Sequence, residues 1–275
     1  MQVKKKAATS NVVPKILLIG AQRAGTKVIA KWLFENGVCH PEVFEGEPYY
    51  YDNQVQFFDQ KHRYEQGLEF YAKRYQHCNS STFAMDATPN TLSFPEHVET
   101  VYRAAGGDHL KNVKVLVILR EPVSRQLSLY NHKVYEYLKT KDRTQWYSDV
   151  SKEYGLVMPF YEYTDVVKKY IDYPEPWGLG DMCLYARHLS KWLKFVDRKH
   201  LLAIAYDELK QDPKNVQRRV REFLAFDFPG SIAITNTNLN KAKVKQASRY
   251  AQKNLNSLFT PMNQDHYQIL NINPG

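Results

Sequence analysis

The chain has 275 residues and a net charge of +9, with 43% hydrophobic and 24% charged residues. That composition excludes a disordered chain, and no apolar run reaches membrane-spanning length. The length suits one large α/β domain, and the excess of lysine and arginine calls for an anionic partner: nucleic acid, an acidic glycan or a polyanionic nucleotide.

The opening Met1-Gln-Val-Lys-Lys-Lys6 is basic, but no apolar stretch follows it, so it reads as a flexible arm over residues 1–13 and not as a signal peptide. The domain proper is expected over 14–272. It begins with a buried strand, Ile16 to Ile19, that breaks at Gly20, turns through Ala21–Ala24 and restarts as a helix at Gly25-Thr26. Val28, Ile29, Trp32 and Leu33 give that helix its period, and Asn36-Gly37 closes it. Strand, glycine-bounded loop and helix form a phosphate cradle, because the loop N–H groups and the helix N-terminus face an anion. The spacing Gly20-x-x-x-x-Gly25 is that of a nucleotide P-loop, but the ending Gly-Thr26-Lys27 displaces the hydroxyl that would hold Mg²⁺. Arg23 places a cation inside the loop instead.

Next come a carboxylate-rich loop, His40 to Pro48, and an aromatic stretch, Tyr49 to Asp59. A half-buried helix is expected over Tyr64–Tyr75, a short strand over Thr82–Asp86 with a turn at Ala87-Thr88-Pro89, and a helix from Pro95 to about Ala105. Val113–Leu119 is the clearest strand, a continuous β-branched and leucine run suited to the centre of a parallel sheet. It ends at Arg120, and Pro122 opens a helix with Val123, Leu127 and Tyr130 on one face. The span Lys139–Tyr173 holds an inserted helix, followed by a mobile loop around Pro174–Gly180. Asp181 is expected to cap an amphipathic helix through Leu184, His188, Trp192 and Phe195. Leu201–Tyr206 reads as a further strand, Asp212-Pro213 starts another helix, and the tail from Lys241 is basic and then helical.

Strands alternating with helices give a single-domain α/β fold, a parallel sheet flanked by helices, with ligands at the carboxyl ends of its strands. Three strands deliver polar residues there: the loop after Ile19, Asp86 with Thr88, and Arg120 with Ser128. A metal-dependent kinase would end a core strand in an acid; an arginine binds phosphate through its planar fork. A second phosphate site follows, as a nucleotide with 5′ and 3′ phosphates requires.

The stretches Ile19-Gly-Ala-Gln-Arg-Ala-Gly-Thr26 and Leu119-Arg-Glu-Pro-Val-Ser-Arg-Gln-Leu-Ser-Leu-Tyr130 resemble the two cofactor motifs of the sulfotransferases that use 3′-phosphoadenosine 5′-phosphosulfate. The likeness is to the heparan sulfate N- and 3-O-sulfotransferases and their bacterial and algal relatives. Val55-Gln-Phe-Phe-Asp59, Asp86-Ala-Thr-Pro89 and Phe259-Thr-Pro-Met-Asn263 extend it over roughly 14–270. The resemblance implies that Arg23, Ala24, Gly25, Thr26 and Lys27 bind the 5′-phosphosulfate and that Arg120 and Ser128 hold the 3′-phosphate. Arg23 stands where the family has a lysine that assists the leaving oxygen. The family's basic covering loop has no clean match, and Lys241, Lys243 and Lys245 stand in for it. The chemistry implied is metal-independent sulfonate transfer to a hydroxyl or amine of a small-molecule or glycan acceptor, with no nucleic-acid partner.

The general base departs from the family pattern, since its glutamate is replaced by Gln54, an amide that orients a hydroxyl but takes no proton at neutral pH. Glu47, in Gly-Glu-Pro-Tyr-Tyr-Tyr, is the expected base under a shifted alignment; Asp86 is next, then His62 and His132. A Mg²⁺-dependent P-loop kinase and a catalytically silent binding relative are the competing readings. Cys39, Cys78 and Cys183 form no metal pattern and no obvious disulfide framework, which favours a reducing, cytoplasmic setting, although the luminal part of a truncated Golgi-type enzyme would look the same.

Overall fold

The computed structural model describes residues 13–42, 54–78, 83–106, 109–144, 147–171, 180–225, 233–234 and 246–270, without the side chains of 109 and 265–270. Four strands, β1 (Ile16–Gly20), β2 (Met85–Asp86), β3 (Lys114–Leu119) and β4 (Leu201–Ala205), form one sheet in the order β2-β1-β3-β4. Every pairing is parallel. The strands read as unbroken apolar runs because helices cover both faces: Val115 to Leu119 are all 0% exposed. Each such side chain stabilises the fold by roughly 1.5–3 kcal/mol relative to its exposed state.

The helices are α1 (Thr26–Glu35), α2 (Lys61–Tyr64), α3 (Gly67–Lys73), α4 (Pro95–Ala104), α5 (Pro122–Thr140), α6 (Phe160–Lys169), α7 (Tyr185–Trp192), α8 (Tyr206–Gln211), α9 (Pro213–Leu224) and α10 (Arg249–Leu270). Helix α10 packs on α5, α6 and α7, and Val134, Tyr163, Val167, Leu255 and Phe259 share a second apolar cluster there.

Three expected elements differ in detail. The helix expected over 64–75 is shorter, α3 alone over Gly67–Lys73; α2 precedes it and ends at Tyr64, and Gly67 takes a left-handed φ of 75° where α3 begins. Tyr206 belongs to α8, which follows β4 with no intervening residue. Asp181 does not cap α7; it opens a 3₁₀ turn, and its carboxylate meets Ser93 and His188 instead. The arm over 1–12 and the segment 172–179 lie outside the described residues.

The cysteine reading is corrected by a disulfide between Cys39 and Cys78; Cys183 is free and buried. Spacing could not reveal this pair, because its partners meet only after folding. Cys39 bridges to Ala84 just before β2, and Cys78 ends the turn beyond α3, where Glu42 N–H also donates to the Arg74 carbonyl (2.7 Å). Closing a loop with a sequence separation of 39 lowers unfolded-state entropy by an amount worth roughly 4 kcal/mol in the chain-entropy model. We expect denatured, unreduced protein to titrate with one thiol and reduced protein with three; three thiols without reductant would remove the disulfide.

Candidate functional site

The loop from Gly20 to Gly25 is shaped by two glycines. A Cβ at Gly20 would lie 2.8 Å from the Pro89 carbonyl oxygen, so only a hydrogen fits between β1 and the turn after β2. Gly25 takes φ 91° at the start of α1, and a Cβ there would press on Tyr206 and Leu209 at 3.2 Å. Among the described residues no side chain caps helix α1, and its first turn holds no acid. The N–H groups of Gln22, Arg23 and Gly25 have no backbone acceptor among the described residues. A left-handed turn with several unmatched N–H groups feeding a helix N-terminus is an anion nest.

Cations surround it. Arg23 Nε donates to Ser128 Oγ of α5 (3.4 Å), and the Arg23 carbonyl accepts from Arg120 Nη1 (3.2 Å). Burial, followed by repulsion from Arg120 and Arg125, lowers the Arg23 guanidinium to about 10. Arg120 lies 4.6 Å above the ring of Tyr206, and its carbonyl accepts from Tyr185 OH (2.8 Å). Glu121 is occupied as the cap of α5, accepting from the N–H groups of Val123 (2.8 Å) and Ser124 (2.7 Å). The structure thus brings Arg23, Ala24, Gly25, Thr26, Arg120 and Ser128 together; Ala24 and Thr26 are buried, and Lys27 is exposed on α1. Sequence reasoning missed Tyr206. Its signal was its place at the end of the fourth strand, the same edge that supplied the other residues.

One turn beyond Ser128, His132 is pushed down to about 4 by burial and then by Arg23, Lys27 and Lys133, with Glu136 Oε1 3.9 Å from its Nδ1. It is neutral at physiological pH and too weakly basic to serve well as a proton acceptor. His62 is exposed on α2.

At the β2 end, Asp86 is 2% exposed. It accepts from Tyr71 OH (3.0 Å), Thr88 N–H (3.0 Å) and Thr88 Oγ1 (2.7 Å). Thr88 Oγ1 in turn accepts from Gln56 N–H (3.1 Å), which ties the segment carrying Gln54 to the sheet edge. Asp59, a further residue that sequence reasoning passed over, is 4% exposed; one carboxylate oxygen accepts from Asn90 Nδ2 (2.9 Å) and the other has no partner among the described residues. Burial above all, with a smaller push from Asp86, raises its carboxyl to about 6. Glu47 and the lysines 241, 243 and 245 lie outside the described residues.

Three comparisons bear on this geometry. The family model described as "Sulfotransferase domain" matches residues 13–265. Heparan sulfate glucosamine 3-O-sulfotransferase 5 of Mus musculus is 24% identical over 231 residues, 84% of this chain and 58% of the relative. The 3B1 enzyme of Homo sapiens is 23% identical over 228 residues, 78% and 47% respectively. The chain therefore spans about half the length of the curated relatives it matches. A sulfotransferase crystal structure from Alicyclobacillus acidocaldarius shares the fold, with a TM-score of 0.62 at 17% identity over 95% of this chain and 97% of that one. With a family model covering almost the whole of it, the chain belongs to the sulfotransferase-domain family.

Proposed function

We propose that this protein moves a sulfonate group from 3′-phosphoadenosine 5′-phosphosulfate to a hydroxyl or amine, with a glycan acceptor favoured by the heparan sulfate relatives and a small molecule as the alternative. The observation that carries the reading is the convergence of Arg23, Arg120 and Ser128 on one sheet edge beside an uncapped helix N-terminus. Bound there, the donor supplies an activated sulfonate for in-line displacement by the acceptor oxygen or nitrogen. The loop N–H groups, Arg23 and Lys27 hold the 5′ side and stabilise negative charge on the leaving oxygen, while Arg120 and Ser128 hold the 3′-phosphate. These cations perform the charge stabilisation that kinases assign to Mg²⁺. Lys243 is assigned to the cover over the bound nucleotide.

For the acceptor proton, Gln54 orients and Asp86 braces. Glu47 is the assigned base. A second reading is favoured by Asp59, whose unpartnered oxygen and carboxyl near 6 suit proton exchange close to neutral pH. The Cys39–Cys78 disulfide supports function in an oxidising compartment, the luminal alternative, in place of the cytoplasm.

Two outcomes are expected. Arg120→Ala weakens binding of adenosine 3′,5′-bisphosphate by about 10–100-fold, the worth of a charge-assisted phosphate contact, and barely changes binding of 5′-AMP. It also abolishes transfer of labelled sulfonate to glycan or small acceptors; equal affinity in calorimetry would sink the 3′-phosphate assignment.

For Asp59, the carboxyl is raised in the fold from 3.8 to about 6, so its contribution to stability is full below 3.8 and is lost as pH rises through 6. Above that, the wild type carries a penalty of about 3 kcal/mol, two pKa units' worth. Asp59→Asn keeps an acceptor for Asn90 and removes the penalty. Its melting temperature therefore exceeds that of the wild type by several degrees at pH 8 and matches it near pH 4. A pH-independent difference would show that the Asp59 carboxyl is not raised.

A further inference from the structure

Arg125 sits in α5, one residue past the first turn, and is 1% exposed. Its Nε donates to the carbonyl of Gln22 in the nest (2.9 Å), and its Nη1 to Cys183 Sγ (3.0 Å) and Gln126 Oε1 (3.5 Å). None of these partners is a carboxylate. Cys183 is held as a thiol, since burial raises it, and it donates in turn to the Pro122 carbonyl (3.5 Å). Two turns along the same helix, the equally buried Lys133 has a carboxylate, Asp149. Burial works against the Arg125 guanidinium, and the groups that offset it, Cys183, Tyr185 and Tyr163, carry a negative charge only when ionised. The guanidinium also repels Arg23 across the loop.

The hydrogen bond to Gln22 has a directional consequence. In a trans peptide the C=O and the following N–H point opposite ways. Drawing the Gln22 carbonyl toward Arg125 turns the Arg23 N–H outward, away from the helix, and that N–H has no backbone acceptor among the described residues. Cys183 closes the 3₁₀ turn Asp181–Cys183, so one guanidinium joins the nest to a second element.

We propose that Arg125 is a positioning residue for the sulfonate donor: its buried charge is balanced by the donor's anion across the loop, and its Nε sets the Gln22–Arg23 peptide to receive that anion. This rests on the donor assignment above. It differs from a structural role in its sign, because removing an unbalanced buried charge should harm nucleotide binding more than it harms the empty fold.

The test uses the full chain with Arg125→Met and Arg125→Gln, melting temperature without nucleotide, and calorimetry with adenosine 3′,5′-bisphosphate. Both neutral variants should melt close to wild type when empty, bind at least about tenfold more weakly, the worth of one charge-assisted contact, and lose most of the nucleotide-induced rise in melting temperature. Arg125→Lys, which keeps the charge, should bind better than either. A folded neutral variant that binds like wild type overturns the proposal. So does failure of both neutral variants to fold while the lysine variant folds and binds normally, which would assign Arg125 to stability alone. Wild-type protein that does not bind the bisphosphate at all would fell the donor assignment itself, and this proposal with it.

Discussion

Parallel pairing of β1 with β3 is the constraint on which the site depends. The register runs from Ile16 opposite Lys114 to Gly20 opposite Val117, with one irregularity before Gly20. That alignment ends both strands at the same edge, so the nest after Gly20 and the arginine after Leu119 become neighbours, although about a hundred residues separate them in sequence. The Ala21 N–H donates to the Ile118 carbonyl (2.8 Å), carrying the pairing one residue into the loop. Adding β4 beyond β3 brings Tyr206 under Arg120. No side chain of the cradle has to find its place independently, because the sheet hydrogen bonds have already fixed the origin of each one.

The same edge concentrates like charge. Arg120 and Arg125 both push the Arg23 guanidinium down, and Lys27 joins Arg23 in pushing down His132. A fold selected for stability alone would not gather these groups. The arrangement is consistent with a protein whose most favourable state includes a bound polyanion, and it accounts for the neutral His132: in a cluster already rich in cations, an imidazole does better uncharged. Part of the stability of such a protein is held in reserve until ligand arrives.

The legible parts of the fold were those written in local pattern. The run Val113–Leu119, the glycine frame of the loop and the proline opening α5 each announce themselves within a dozen residues, and all three stand where expected. What the sequence concealed depends on distant partners. Asp181 looked like a helix cap because an acid before an apolar helix usually is one; Ser93 and His188, from two other elements, compete successfully for its carboxylate. The Cys39–Cys78 pair, the seat of Tyr206 and the unmatched oxygen of Asp59 were hidden for the same reason. Arg125 lay within the second cofactor motif, but its partners Gln22 and Cys183 come from distant segments that no local pattern brings together.

Asp86 shows how burial can separate a residue's place from its chemistry. It stands at a strand's carboxyl end, the position from which an acid could act, and burial raises its carboxyl. Three donors nonetheless occupy it, and the lattice Tyr71–Asp86–Thr88–Gln56 runs through it. A proton on Asp86 Oδ2 would turn the Tyr71 hydroxyl from donor to acceptor, whereas one on Oδ1 would displace the Thr88 hydroxyl that accepts from Gln56 N–H. The three bonds make Asp86 a brace between the end of β2 and the segment from Gln54.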